Sequence, residues 1–250
     1  MNDEWNQSQA DNGDNWNEVE TPYVSKYTPV EENDLCSRVA TRAFLVVFLG
    51  LLVTTLASYI TLFNQTMFQL VFSGNTFTFL LIAELVVVLV NSWAIRKANL
   101  LLAGALYAVY TIINGITMSV VFLAYGMGTV MEAFLIAGIV FGVMAAYGYF
   151  AKKDLSTIGS ICSMALIGVI LVSLANALLI HSSGLDLIMD YVVVLLFVGI
   201  TAYDMHRMKK MVVAGGEKEI SRVALFTGMQ LYLDFINIFL RLLRIMGRRR

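Results

Sequence analysis

The chain has 250 residues, 58% of them hydrophobic and 14% charged, with a mean hydropathy of +0.74 and a formal net charge of −1. A soluble domain of this size cannot hide so much apolar surface, which excludes a water-soluble globular protein and points to an integral membrane protein. The near-neutral charge conceals a division: residues 1–35 hold nine acids against one base, Lys26, and the remaining 215 hold sixteen bases and nine acids.

Residues 1–35 are rich in Asn, Asp, Glu and Gln and poor in aliphatic side chains, the composition of a disordered acidic leader. No basic segment followed by a short apolar core opens the chain, so no cleavable signal peptide is expected and the first apolar helix is expected to direct insertion. Cys36 and Cys162 lie far apart with no paired spacing and read as unpaired thiols.

A helix needs about 20 apolar residues to cross a bilayer. Seven runs qualify, at 43–63, 77–95, 100–123, 130–150, 158–180, 187–203 and 223–246, with short connections. The expected fold is therefore all-α: one domain over 36–250, a seven-transmembrane-helix bundle. Arg38 and Arg42 precede the first run, Arg96 and Lys97 follow the second, and Lys152 and Lys153 follow the fourth. Arg207, Lys209, Lys210, Lys218 and Arg222 lie between the last two, while the alternate loops carry no Lys or Arg. By the positive-inside rule the N-terminus and the basic loops face the cytoplasm. Arg248, Arg249 and Arg250 break the alternation. Either the last helix is re-entrant, or it is a late-packing central helix whose own charges do not set its orientation.

Small residues at four-residue spacing, Gly138, Gly142 and Ala146, together with Gly115 and Ser119, read as close helix-packing positions. Of the acids in or beside the apolar runs, Glu132 and Asp190 fall in predicted first turns and read as helix-terminal caps. Glu84 lies deep in the second run. An unpaired charge there costs about 2.5–3.5 kcal/mol on insertion scales, so it is expected to be protonated, hydrogen-bonded inside the bundle, or functional.

The last run carries Thr227, Gln230, Asp234, Asn237, Arg241, Arg244 and Arg248 at alternating spacings of three and four, which stacks them on one helical face. That stripe must turn toward protein or water, and Gln230 and Asn237 are candidate interior polar residues beside Asp234. Asp204 closes the sixth run. Asp234 lies about 18 Å into the seventh by helical rise, deeper than Asp204, so the two meet only if the last helix enters after 217–222 or breaks at Gly228. If they meet, two carboxylates in a low-dielectric site cannot both ionise cheaply, and the pair becomes a proton sensor. They also offer hard oxygen ligands suited to weak Ca²⁺ binding or passage. Arg96 is an available counter-charge, though from spacing alone it reads first as a positive-inside topology signal.

At these residues the chain resembles the Bax inhibitor-1 (transmembrane Bax-inhibitor-motif) family in its bacterial form. The resemblance is carried by Ala202-Tyr203-Asp204, by the run 231–247 that contains Leu231-Tyr232-Leu233-Asp234, by 110–119 with its Asn-Gly-Ile-Thr core, and by 152–156. It covers about residues 36–247 in order. It implies a seven-helix bundle with the C-terminal helix at its centre and a pH-sensitive calcium leak. It also implies that Asp204 and Asp234 form the sensing pair and that Arg96 latches onto Asp204. The connection 214–219 departs from the family pattern.

The expected function is thus a Ca²⁺ leak of the bacterial inner membrane gated by proton occupancy of Asp204 and Asp234. Its partners are the lipid bilayer, calcium ions and protons, with no cofactor and no nucleic acid. An alternative is a non-transporting regulator that binds other membrane proteins, in cell-death or membrane-proteolysis control. An intramembrane aspartyl protease would need Gly-x-Gly-Asp at the second aspartate, where Tyr232 and Leu233 stand, and a Pro-Ala-Leu that the two prolines, Pro22 and Pro29, do not supply. No metalloprotease, nucleophile or phosphate-loop pattern appears, so no enzymatic activity is expected.

Overall fold

The computed structural model describes residues 27–72, scattered positions between 76 and 90, and 100–248. Every described element is helical: α1 Pro29–Phe63, α2 Gln65–Phe72, α3 Leu100–Ala124, α4 Met127–Phe150, α5 Ser156–Ala175, α6 Ser183–Gly215 and α7 Ile220–Gly247. Helix α5 runs into a π-helical turn, Asn176–Ile180, and α7 is entered through the single turn Glu217–Glu219.

Helix α1 begins well ahead of the apolar run at 43 because its start is strongly capped. The Thr28 hydroxyl accepts the Glu31 N–H, the Glu31 carboxylate accepts the Thr28 N–H at 2.8 Å, and Pro29 occupies the first turn, where a missing N–H costs nothing. Residues 29–35, read from composition as part of the leader, are therefore helical, and Leu35 is buried. The disorder expected of residues 1–26 lies outside the described residues.

Among the described residues, six helices are long and apolar enough to cross a membrane: α1, α3, α4, α5 with its π turn, α6 and α7. The run expected at 77–95 falls largely outside them. Its described positions Phe79, Ile82, Val86 and Val90 are exposed at helical spacings, and Val87 packs on the core. Large apolar side chains such as Phe48, Ile139 and Leu195 are more than 60% exposed, the inverse of a soluble protein, and this outer belt is the surface that lipid solvates.

The interior is assembled from small and polar residues. On α4 the inward stripe is Ala133, Ala137, Phe141 and Ala145, one position out of phase with Gly138 and Gly142. Those two glycines have nothing within 4 Å of a built Cβ, so the close packing expected of them is not found: they face outward. Close approach occurs elsewhere. A Cβ at Gly148 would strike the Ala202 backbone, and one at Gly228 would come within 2.6–2.8 Å of Val46 and the Ala43 carbonyl. The predicted role of Gly115 does hold, since its Cβ would strike the Thr54 carbonyl and Ala57 of α1.

Helix α7 is the most enclosed of the six: 78% of its most apolar window is buried, against 44% or less in the others and 6% in α5. It packs on α1, α4 and α6, and more lightly on α3. It runs unbroken from Ile220, so neither a re-entrant turn nor a break at Gly228 is present.

Candidate functional site

Helices α6 and α7 form an antiparallel hairpin, and the polar stripe of α7 meets α6 at Asp234 and again at Arg241, Arg244 and Arg248. The apolar run of α6 ends in sequence at 203, but the helix continues to Gly215. The polar residues after 203 alternate with buried Met205, Met208 and Val212, which keep the core period intact. Asp204 thus stands about 16 Å from the hairpin end and Asp234 about 21 Å, by helical rise. The mismatch in depth inferred from the apolar runs shrinks to about 5 Å, roughly one helical turn, and the two aspartates become electrostatic neighbours across the interface.

Asp204 is 5% exposed and Asp234 3%. Asp234 lies within side-chain hydrogen-bonding reach of Thr201, and its Oδ2 has no partner among the described residues. The Thr201 hydroxyl donates to the Phe197 carbonyl at 2.7 Å. Arg207, one turn beyond Asp204, is its charged neighbour and stacks over the Phe226 ring at 5.5 Å. Arg96 and Glu84, the expected latch and the second deep acid, both lie outside the described residues. Gln230 is half-buried, and Asn237 donates to the Leu233 carbonyl at 2.8 Å. Among the described residues no group of three or more His, Cys, Asp or Glu side chains is arranged to hold a metal ion. A crevice of about 310 Å³ between α1, α4 and α6, lined in part by Ser37, Thr41, Tyr149 and Met205, reaches the helix turn that carries Asp204.

On the far face of α7, Tyr232 is fully buried and joins three helices. Its hydroxyl lies 2.6 Å from the Thr54 hydroxyl of α1 and 3.0 Å from the Asn114 amide of α3, and Thr54 lies 3.1 Å from the Thr111 carbonyl. Two hydroxyl hydrogens cannot fill three bonds. With the Asn114 nitrogen turned to donate, the chain runs from Asn114 to Tyr232 to Thr54 to Thr111, one proton per bond. Tyr107 and Tyr110 meet the Tyr232 ring edge-on.

Asp190 corrects the reading from sequence. It does not cap a helix: α6 begins at Ser183, its cap is Ser182, and Asp190 lies two turns in, with no exposed surface. Arg241 and Arg244 donate to its Oδ1 at 2.8 and 3.2 Å, and Arg248 lies 4.0 Å from its Oδ2. Arg248 also approaches Asp186 at 3.9 Å and donates to the Ser183 carbonyl at 2.7 Å. Asn176 bridges the π turn to Asp186 at 2.7 Å. This network was legible in principle. Asp190 precedes Asp204 by about four helical turns and shares its face, so an antiparallel α7 must bring its terminal arginines to that level.

At the opposite end, the hairpin is fastened to its neighbours. Lys210 reaches Asp154 at 2.7 Å, where Ser156 also donates, and these bonds hold the Asp154 carboxyl well below the usual range. His206 Nε2 stands 3.6 Å from the same carboxylate. The departing segment at 214–219 is a tight turn: Gly216 has a φ of +64°, with the Tyr27 hydroxyl against it. Arg38 of α1 binds Glu217 at 3.1 Å, and Arg42 donates to Ser221 at 3.2 Å.

Residues 36–250 match the family model described as "Inhibitor of apoptosis-promoting Bax1". The chain is 36% identical over 205 residues to the inner membrane protein YbhL of Escherichia coli K12, covering 80% of this chain and 87% of that one. It is 36% identical over 212 residues to an uncharacterised protein of Borreliella burgdorferi (84% and 91% covered). An uncharacterised membrane protein of Streptococcus pyogenes serotype M6 is 38% identical over 167 residues (67% and 72%).

Proposed function

The chain belongs to the Bax inhibitor-1 family, and from that premise and its buried carboxylate pair we propose that it is a pH-sensitive Ca²⁺ leak of the bacterial inner membrane. Helix α7 is the central element and closes the path, and the stretch 77–95 supplies a seventh span. The N-terminus and the basic connections lie in the cytoplasm, which is consistent with a relative named as an inner membrane protein.

The observation that carries this reading is that Asp204 and Asp234 are neighbours across the α6–α7 interface, almost fully enclosed, near the level that the crevice beside Met205 approaches. Structural glue alone does not need two neighbouring carboxylates at membrane depth, since each unpaired charge there is costly. A shared proton removes the repulsion, and its loss changes the force across the α6–α7 interface. Proton occupancy thereby biases the closed and open arrangements of the hairpin. Ca²⁺ is the permeant ion, bound weakly, because two carboxylates fall short of the six to eight oxygens of a tight site. Arg96 serves as the counter-charge that holds Asp204 in the closed state.

The test is calcium flux into proteoliposomes stepped across neutral pH. Wild-type protein is expected to give a pH-dependent flux, and Asp234→Asn and Asp204→Asn are each expected to change its pH profile. Flux unchanged by both substitutions removes the pair from gating. No flux above empty liposomes at any pH transfers the reading to a non-transporting regulator of membrane proteins.

A further inference from the structure

We propose that the Asp190–Arg241 pair, backed by Arg244 and Arg248, is an electrostatic barrier at the far end of the same path, setting how strongly divalent ions are discriminated against. This rests on the leak reading. The stripe of α7 is a continuous seam that begins with the carboxylates and ends with guanidiniums. From Asp234 it passes along one face of α7, by way of Asn237, to Arg241, Arg244 and Arg248, and the three arginines meet carboxylates of α6. An ion moving along that seam leaves a negative site and meets a positive one.

The cluster is anchored in the protein core at Asp190 and opens toward the surface through Arg244, Arg248 and Asp186. Asp190 has no exposed surface, and Arg241 is three-quarters covered. Three guanidiniums face two carboxylates, Asp190 and Asp186, which leaves one net positive charge. Asp190 holds two arginines through a single oxygen, and its Oδ2 has no hydrogen bond among the described residues. One carboxylate therefore fixes the place of the barrier without cancelling it. The barrier acts on Ca²⁺ twice as strongly as on K⁺, because the interaction scales with ionic charge.

The experiment measures the ratio of Ca²⁺ to K⁺ flux in proteoliposomes of the full chain, at the pH of greatest wild-type flux. Arg241→Gln removes one positive charge, while Arg244 and Arg248 still cover Asp190, and the ratio is expected to rise about two- to threefold. Asp190→Asn adds one positive charge, and the ratio is expected to fall by a similar factor. The double variant Asp190→Asn/Arg241→Gln restores the wild-type net charge and is expected to restore the ratio. Opposite movements of a ratio cannot come from lost folding, which lowers both fluxes together. If Asp190→Asn does not assemble, the Arg241→Gln and double variants alone decide. A ratio unchanged in Arg241→Gln, or one shifted the same way in every variant, overturns the proposal while the leak stands. Absence of any wild-type flux overturns the leak and the barrier with it.

Discussion

Tyr232 and Asp234 are two residues apart on α7, a separation that points them to opposite sides of the helix. Asp234 is turned to Thr201 and Asp204 of α6, and Tyr232 to Thr54 of α1 and Asn114 of α3. The tyrosine therefore fixes the rotation of α7 that presents the aspartate. Tyr232→Phe deletes the central hydroxyl of the chain of bonds and leaves the Thr54 and Asn114 groups short of a partner. Buried polar bonds between membrane helices average about 0.6 kcal/mol and reach about 1.7, less than their counterparts in soluble cores. A loss of about 1 kcal/mol is expected, measurable as earlier unfolding in a denaturant titration of the purified protein in detergent. The sequence marked Asp234 through its stripe. It gave no comparable mark to Tyr232, because an aromatic residue in an apolar run looks like ordinary core and its partners come from α1 and α3.

At the scale of elements, the hairpin is positioned by contacts that leave no room for a side chain. Gly148 lets α4 rest on the Ala202 backbone, two residues from Asp204. Gly148→Val is expected to cost at least about 1–3 kcal/mol as overpacking and to displace the turn that carries Asp204. Lower thermal stability together with an altered pH profile of flux would show this. The link from Lys210 to Asp154, both at least half exposed, fastens the same helix near its C-terminal end. Because the Asp154 carboxyl is held below its ordinary value when folded, its contribution is fully present at neutral pH. It is lost as pH falls below the unfolded carboxylate value of about 3.9 and through the depressed one. The difference in melting temperature between wild type and Asp154→Asn is accordingly expected at pH 7 and expected to shrink toward pH 3. Here the sequence misled in one respect: charges after 203 looked like the end of a span, whereas Met205, Met208 and Val212 carry the buried face onward. The glycine spacing on α4 misled in another, since small residues at four-residue spacing also arise on a lipid-facing surface, where nothing selects bulk.

For the whole molecule, hydropathy alone conveyed the all-helical membrane bundle, because helices satisfy their backbone polar groups internally and spans must be long. The charge alternation of the loops was equally plain, but the terminal arginines could not be interpreted without knowing what they face. Their partners, Asp186 and Asp190, lie more than fifty residues earlier. The leader can now be separated from the bundle more finely than composition allows. Because Thr28 and Glu31 cap α1, a deletion of residues 1–26 leaves the cap in place, and flux is expected to survive it in the proteoliposome assay. A deletion reaching residue 34 removes the cap and the first turns of α1 as well.

The pairing of Asp190 with Arg241 and Arg244 also bears on how the chain is made. Synthesis delivers α6 before α7, so the carboxylate waits in place when the guanidiniums arrive. Arginine is among the costliest residues to move into a bilayer, and for Arg241 and Arg244, in the last turns of α7, a neighbour of opposite charge lowers the cost of settling there. The last helix is therefore a guest of the one before it, and its arginines find their counter-charges already in place on α6. A nascent chain stopped at Gly215 would hold Asp190 and Asp204 with their α7 partners missing. In a pulse-chase experiment such a chain is expected to be cleared by membrane proteases faster than the full-length protein.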